Sequence, residues 1–243
     1  MDDERRNFVK LLGSATLALA NLSVAEKTVA GSEAGRPATD WGMVVDLRRC
    51  IGCQACTVAC SIENQIPLGN FRTLVTTYEI AQGDRARRYA LPRLCNHCAK
   101  PPCVTVCPTK ATSKRADGAV VVDNTVCIGC GYCVQACPYD ARFINEKTKT
   151  ADKCTFCLHR LEAGLLPACV ETCVSGARIF GNLADPKSTV SRLLVENPTQ
   201  VLKKHLGTEP HVFYIGLDQN FSGRVKGEQV LVPAGRSVHE EAE

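Results

Sequence analysis

The stretch Cys127-Ile128-Gly129-Cys130-Gly131-Tyr132-Cys133-Val134-Gln135-Ala136-Cys137-Pro138 separates its four cysteines by two, two and three residues. The sixteen cysteines of the 243-residue chain fall in four such groups of four. The groups are Cys50, Cys53, Cys56, Cys60; Cys95, Cys98, Cys103, Cys107; Cys127, Cys130, Cys133, Cys137; and Cys154, Cys157, Cys169, Cys173. The second and fourth groups lengthen the middle gap to four and eleven residues. The sequence therefore contains an internal repeat of a metal-binding unit.

The spacing of groups one and three is that of the bacterial ferredoxin run, in which three thiolates hold one 4Fe–4S cluster and the fourth serves a neighbouring cluster. Pro108 and Pro138 follow the last cysteine of groups two and three, as that run prescribes. Ser61 and Val174 take this place in groups one and four, which leaves the ligands intact.

Glycines stand between the predicted ligands, where the backbone must approach a cluster closely. They are Gly52, Gly129 and Gly131.

Two other uses of the cysteines compete with clusters. A disulfide framework is common in exported cysteine-rich proteins, but it would not repeat one closely spaced run. Zinc sites normally take two ligand pairs separated by a longer loop, which groups two and four resemble and groups one and three do not. The spacing therefore favours four 4Fe–4S clusters.

The composition agrees with metal-supported folding. Apolar residues make up 45% of the chain and aromatic residues only 5%, which is thin for a large core. Metal–thiolate bonds couple binding to folding and can supply the missing stabilisation. The net charge of +4 is mild and spread along the chain, so it does not predict nucleic-acid binding.

Residues 1–25 have the layout of a signal peptide, with a charged start, a short apolar stretch and small residues. Arg5 and Arg6, followed by Phe8 and Lys10, resemble the twin-arginine export signal. That pathway moves folded proteins, so clusters could be inserted in the reducing cytoplasm before export. We expect a periplasmic protein, peripheral to the inner membrane, that meets the membrane only through a partner.

The rest of the chain divides by composition. Residues 26–40 are predicted to be a linker, residues 41–182 a four-cluster body, and residues 183–243 a C-terminal helix and strand extension with a loose tail. Predicted strands are Trp41 to Asp46, Ala119 to Val122 and Val212 to Ile215. Predicted helices run from Ser188 to Glu196 and from Asn197-Pro198 to Gly207.

Spacing alone leaves the pairing of the groups open. Groups two and three are joined by 19 residues with a predicted hairpin at Asp117-Gly118. Groups three and four are joined by 16 residues with another predicted hairpin around Phe143-Ile144. Either pair could form a ferredoxin module.

Residues 41–217 resemble the four-cluster subunits of molybdopterin oxidoreductases, the family of the polysulfide, thiosulfate and dimethyl sulfoxide reductases. Within that family the sequence is most similar to the tetrathionate-reducing branch. The resemblance is carried by the stretches Asp46 to Gln54, Leu91 to Cys98, Cys137 to Asn145, Thr150 to Cys154 and Leu165 to Glu171.

The resemblance implies an α+β, loop-rich fold with two bacterial-ferredoxin-like modules in a pseudo-twofold arrangement. Groups one and four would form one module, and groups two and three the other. The implied ligand sets are Cys50, Cys53, Cys56, Cys173 (set one); Cys95, Cys98, Cys103, Cys137 (set two); Cys107, Cys127, Cys130, Cys133 (set three); and Cys60, Cys154, Cys157, Cys169 (set four).

The resemblance also implies a function. The protein would relay electrons from an integral-membrane, quinol-oxidising subunit to a molybdopterin catalytic subunit that reduces tetrathionate to thiosulfate. No catalytic constellation stands out in the sequence, so we expect a non-catalytic subunit. A related reductase, a free soluble ferredoxin and a zinc protein are the alternatives.

Six charged or titratable residues near the cysteines have two interpretations. They could tune the cluster potentials; otherwise the histidines would be partly buried and hydrogen-bonded, and the cations would form surface salt bridges to partners. They are His97, His159, Arg48, Arg49, Lys153 and Arg160.

Overall fold

The computed structural model of the protein describes residues 39–82 and 85–217. The predicted signal peptide, nearly all of the predicted linker and the predicted tail lie outside these residues. In the described ranges, no helix is long and apolar enough to cross a membrane.

Ten strands and six short α-helices alternate in the described ranges, which confirms an α+β, loop-rich fold. The strands are β1 (Trp41–Asp46), β2 (Thr73–Gln82), β3 (Arg85–Leu94), β4 (Thr112–Lys114), β5 (Val120–Val122), β6 (Arg142–Ile144), β7 (Ala151–Lys153), β8 (Arg178–Asn182), β9 (Thr199–Gln200) and β10 (Val212–Ile215). The helices are α1 (Ala55–Glu63), α2 (Pro102–Thr105), α3 (Tyr132–Gln135), α4 (Leu158–Glu162), α5 (Ala168–Glu171) and α6 (Thr189–Glu196). The pseudo-twofold arrangement stays a prediction.

A four-stranded sheet of order β8-β1-β10-β9 brings together distant parts of the sequence. Strand β1 pairs antiparallel with β8 and parallel with β10. Met43 and Val45 pack in the main core, whereas Val44 packs against Val190 of α6 on the other face. This alternation is the period of two expected of a strand covered on both faces. The predicted strands at β1 and β10 are confirmed.

Helix α6 begins as the sequence predicts, with the Ser188 side chain accepting a hydrogen bond from the Ser191 N–H at 3.2 Å. The second predicted helix is wrong. Asn197 is extended, as residues before proline tend to be, and β9 then pairs with β10. Only one 3₁₀ turn, Lys204–Leu206, forms before Gly207.

Three hairpins stand beside the sheet, namely β2–β3, β4–β5 and β6–β7. The last two confirm the hairpins predicted at Asp117-Gly118 and at Phe143-Ile144. The long β2–β3 hairpin was not predicted from the sequence. Its signal is the β-prone run Thr73 to Tyr78, followed by Gly83-Asp84 and a second apolar stretch.

Candidate metal centres

The four cysteine groups share one backbone conformation. The second residue after the first cysteine has a positive φ in every group: 71° at Gly52, 43° at His97, 69° at Gly129 and 55° at Phe156. A left-handed residue at this point turns the backbone so that the following cysteine can face the same centre as the first. The glycines predicted between ligands therefore serve a left-handed turn. At Gly129 a Cβ would also collide with the Lys149 carbonyl oxygen.

Groups two and four place larger residues at this left-handed position. The rings of His97 and Phe156 stack with centroids 3.6 Å apart, and both side chains are buried. The Val120 N–H donates to Nδ1 of His97 at 3.0 Å. Burial holds the pKa of His97 well below its usual range, so the ring is neutral. His97 therefore has a structural role.

A second conformation recurs after the last cysteine of groups two, three and four. Lys110, Asp140 and Gly176 each lie three residues beyond it, with φ of 57°, 51° and 59°. Their N–H groups donate back to the carbonyls of Cys107, Cys137 and Cys173. The turn leads directly into β4, β6 and β8. Group one lacks this turn because its last cysteine, Cys60, lies inside α1.

Three cavities are lined by cysteines from different groups. Their cysteines are Cys60, Cys154, Cys157, Cys169; Cys95, Cys98, Cys103, Cys137; and Cys50, Cys53, Cys56, Cys173. The structure thus brings together sets four, two and one of the implied ligands.

The remaining set is Cys107, Cys127, Cys130 and Cys133. Cys127 and Cys133 pack in one apolar cluster with Val120. Cys107 and Cys127 accept backbone N–H groups from Thr112 at 3.5 Å and from Ala151 at 3.4 Å. Cys130 is exposed. The assignment of individual cysteines to clusters stays a prediction.

All sixteen cysteines lie in the described ranges, and none forms a disulfide. Burial raises the pKa of Cys60 and of Cys98 to about 12, and that of Cys154 well above its usual range. Thiols in such places lose their protons only when positive charge compensates, which bound iron supplies. The described residues hold no group of three or more metal-binding side chains close enough for a single ion. The cysteines instead surround larger spaces.

Buried cations accompany the cysteines, and spacing did not reveal their role. Arg142 donates to Sγ of Cys103 at 3.1 Å, and Arg178 lies beside Cys169. Lys153 is 1% exposed and donates to the carbonyls of Val120 and Cys154. Lys153, one of the four basic residues near the cysteines that the sequence analysis singled out, is therefore buried in the interior.

Of the other sequence-predicted candidates, Arg48, Arg49 and His159 are exposed and Arg160 is half-buried. Arg48 pairs with Asp46 at 2.8 Å, and Arg49 lies beside Gly176.

His159 and Arg160 both contact Glu63, at 2.8 and 3.0 Å. Arg48 and Arg160 therefore form ion pairs within the protein, and His159 is hydrogen-bonded to Glu63.

Comparison with known proteins identifies the family to which this protein belongs. Two family profiles described as 4Fe-4S dicluster domain match residues 49–111 and 86–183. The sequence is 55% identical to a tetrathionate reductase subunit of Salmonella typhimurium over 228 residues, which are 91% of either protein. This protein belongs to the dicluster iron–sulfur subunits of reductases.

Further relatives have related names. A tetrathionate reductase subunit of Archaeoglobus fulgidus is 47% identical over 72% of this chain and 81% of its own length. A polysulfide reductase chain of Wolinella succinogenes is 43% identical over 73% of this chain and 95% of its own length.

This iron–sulfur subunit carries four 4Fe–4S clusters on its sixteen cysteines. The residues fit such groups, since the cavities are lined by free thiols. In addition, the buried Arg142 Nε and Arg178 Nη1 have no hydrogen-bond partner among the described residues. Its role is electron transfer.

Proposed function

We propose that the protein is the electron-relay subunit of a tetrathionate reductase. It takes electrons from a quinol-oxidising membrane subunit and delivers them to a molybdopterin catalytic subunit, which reduces tetrathionate to thiosulfate. The observation that carries the relay is that neighbouring cysteine sets adjoin one another through the protein. When bound, each cluster accepts and passes on a single electron.

The order of the sets follows from which of their cysteines lie close enough to interact electrostatically. Cys56 of set one interacts in this way with Cys169 of set four, and Cys154 of set four with Cys95 of set two, and all four belong to one core cluster. The guanidinium of Arg142 lies between Cys103 of set two and Cys133 of set three. This supports the four predicted ligand sets, with Cys50 and Cys173 together, in the order one, four, two, three.

Both ends of this order reach the surface. Cys53 in set one and Cys130 in set three are exposed. The loops that carry them expose Ile51 at 69% and Ile128 at 67%. An exposed ligand loop beside an apolar side chain suits electron exchange with a partner subunit, because contact there excludes water and shortens the transfer distance. We assign one partner to each end.

The location of the protein follows from its N-terminal sequence. The twin-arginine motif at Arg5 and Arg6 supports export of the folded, cluster-loaded protein to the periplasm. The protein then lies on the inner membrane through its quinol-oxidising partner.

The proposal that tetrathionate is the terminal electron acceptor rests on the names of related proteins. Both tetrathionate reductase relatives support tetrathionate, whereas the polysulfide reductase relative supports polysulfide as the second candidate. Fold does not decide between acceptors, because the substrate meets the catalytic subunit.

The test is reconstitution of the complex. Quinol should reduce the clusters in membranes that contain all three subunits, and tetrathionate should reoxidise them with thiosulfate as product. Reoxidation by polysulfide alone would change the acceptor, and failure of quinol to reduce the clusters would refute the relay. Ile51→Asp and Ile128→Asp should each block one half of the reaction. Exposed Val195→Asp serves as the control.

A further inference from the structure

The turn that follows the last cysteine ends at a recurring position. Five residues beyond the cysteine stand Thr112 in group two, Arg142 in group three and Arg178 in group four. Each is the first residue of a strand, β4, β6 or β8. All three are buried, with Arg142 5% and Arg178 3% exposed. The repeat therefore delivers two guanidinium groups to the interior from equivalent places.

The three nitrogen atoms of the Arg142 guanidinium have different surroundings. Nη2 donates to Sγ of Cys103 at 3.1 Å, and Nη1 donates to Oγ1 of Thr112 at 3.2 Å. Nε is buried and has no partner among the described residues. The side chain lines the cavity of set two and lies beside Cys133 of set three.

Arg178 repeats this arrangement in the other half of the molecule. Nη2 donates to Oγ1 of Thr73 at 2.7 Å, and the guanidinium lies near the thiol of Cys169. Nη1 is buried without a partner in the described part of the protein. The side chain lines the cavity of set one and lies beside Cys169 of set four.

No carboxylate among the described residues neutralises Arg142 or Arg178. Arg72, by contrast, has an acidic partner, Asp152, at 2.6 Å. Lys153, the third buried cation near the cysteines, donates to two carbonyl oxygens. A buried guanidinium without a counter-charge is costly, so the structure needs negative charge beside it. The cysteine sulfurs are the groups placed to supply that charge, and both arginine side chains line cysteine cavities.

We propose that Arg142 and Arg178, the arginine pair, are potential-setting residues that each serve one module of two clusters. This inference rests on the ligand sets proposed above. Reduction adds one negative charge to a cluster, so a fixed positive charge and N–H donors to sulfur stabilise the reduced form more than the oxidised form. The arginine pair therefore raises the potentials, Arg142 for sets two and three and Arg178 for sets one and four.

The test is a redox titration of the isolated, anaerobically purified full-length protein, followed by electron paramagnetic resonance. Arg142→Gln should lower the midpoint potentials of two clusters, and Arg178→Gln those of the other two. We expect the ratio of reduced to oxidised cluster at a fixed potential to fall about tenfold, equivalent to about 59 mV for one electron. Arg142→Lys and Arg178→Lys retain the charge and should shift less.

The control is Arg88→Gln, which removes an exposed charge, 74% accessible, paired with Glu79. It should leave all four potentials unchanged. Chemical reductants replace quinol here, so the result does not depend on partners or on the acceptor. If quinol failed to reduce the clusters in the reconstituted complex, the proposal for the arginine pair would still stand.

Three outcomes overturn the proposal. In the first, the glutamine variants retain their iron and the midpoint potentials do not change. In the second, one variant shifts the potentials of all four clusters equally. In the third, both variants shift the potentials of the same two clusters. A glutamine variant that loses iron does not end the test. The unmodified protein is then labelled with ¹⁵N-arginine, and pulsed resonance should detect coupling between guanidinium nitrogen and reduced clusters. Absence of that coupling refutes the hydrogen bonds to sulfur.

Discussion

Replacing Cys173 by serine tests the pairing of groups one and four. Cys173 lies 123 positions after Cys50, yet both line one cavity with Cys53 and Cys56. Serine is a harder and weaker ligand for iron than a thiolate. We expect Cys173→Ser to damage the cluster that Cys50→Ser damages.

The expected change in iron content follows from the loss of one of the sixteen cysteine ligands. A fully loaded protein holds about sixteen irons, four per cluster. Conversion of one cluster to a three-iron form lowers this to about fifteen, and loss of that cluster lowers it to about twelve. Set two, which contains Cys95, should keep its cluster.

Iron and sulfide analysis, with resonance spectra recorded across a potential titration, would measure both effects. Cys50→Ser and Cys173→Ser should remove the same signal. Cys127→Ser, in set three, is the matched control and should remove a different one. If Cys173→Ser and Cys127→Ser removed the same signal, groups three and four would pair, and the proposed modules would be wrong.

Three further changes probe export and packing. Arg5→Lys with Arg6→Lys should leave a loaded protein in the cytoplasm, which fractionation would detect; unchanged export would point to another route. Val190→Ala, at a side chain with no exposure, should lower the free energy of unfolding by about 2 kcal/mol and the anaerobic thermal midpoint by about 4–8 °C, whereas Val195→Ala, 88% exposed, should not. Tyr214→Phe removes a hydrogen bond of 3.0 Å to the Pro92 carbonyl and should cost about 1–2 kcal/mol.

The sequence predicted the local elements that have local causes. A short apolar run predicted β1, Ser188 predicted the start of α6, and Asp117-Gly118 predicted a hairpin. The spacing of the cysteines predicted the clusters, because three of the four ligands in most predicted sets lie close together along the sequence.

The failures have long-range causes. The propensity of residues 198–207 for helix is overridden by pairing of β9 with β10, which no local pattern reveals. The interior role of Arg142 and Arg178 was missed because arginine is usually a surface residue. The dipeptide Ala-Arg occurs twice with its arginine five residues after the last cysteine of a group, and this repeat is the signal that could have found them.

The central place of β1 in its sheet has a consequence for synthesis. The ribosome makes β1 early, but its neighbours β8 and β10 lie more than 130 residues later. Under the proposed ligand sets, sets two and three are complete at Cys137, whereas set four waits for Cys169 and set one for Cys173. At about 5–20 residues per second, the 36 residues from Cys137 to Cys173 take about 2–7 s. Assembly therefore starts in the middle of the sequence, and the emerging N-terminal strand stays unpaired until the last cysteine group has left the ribosome.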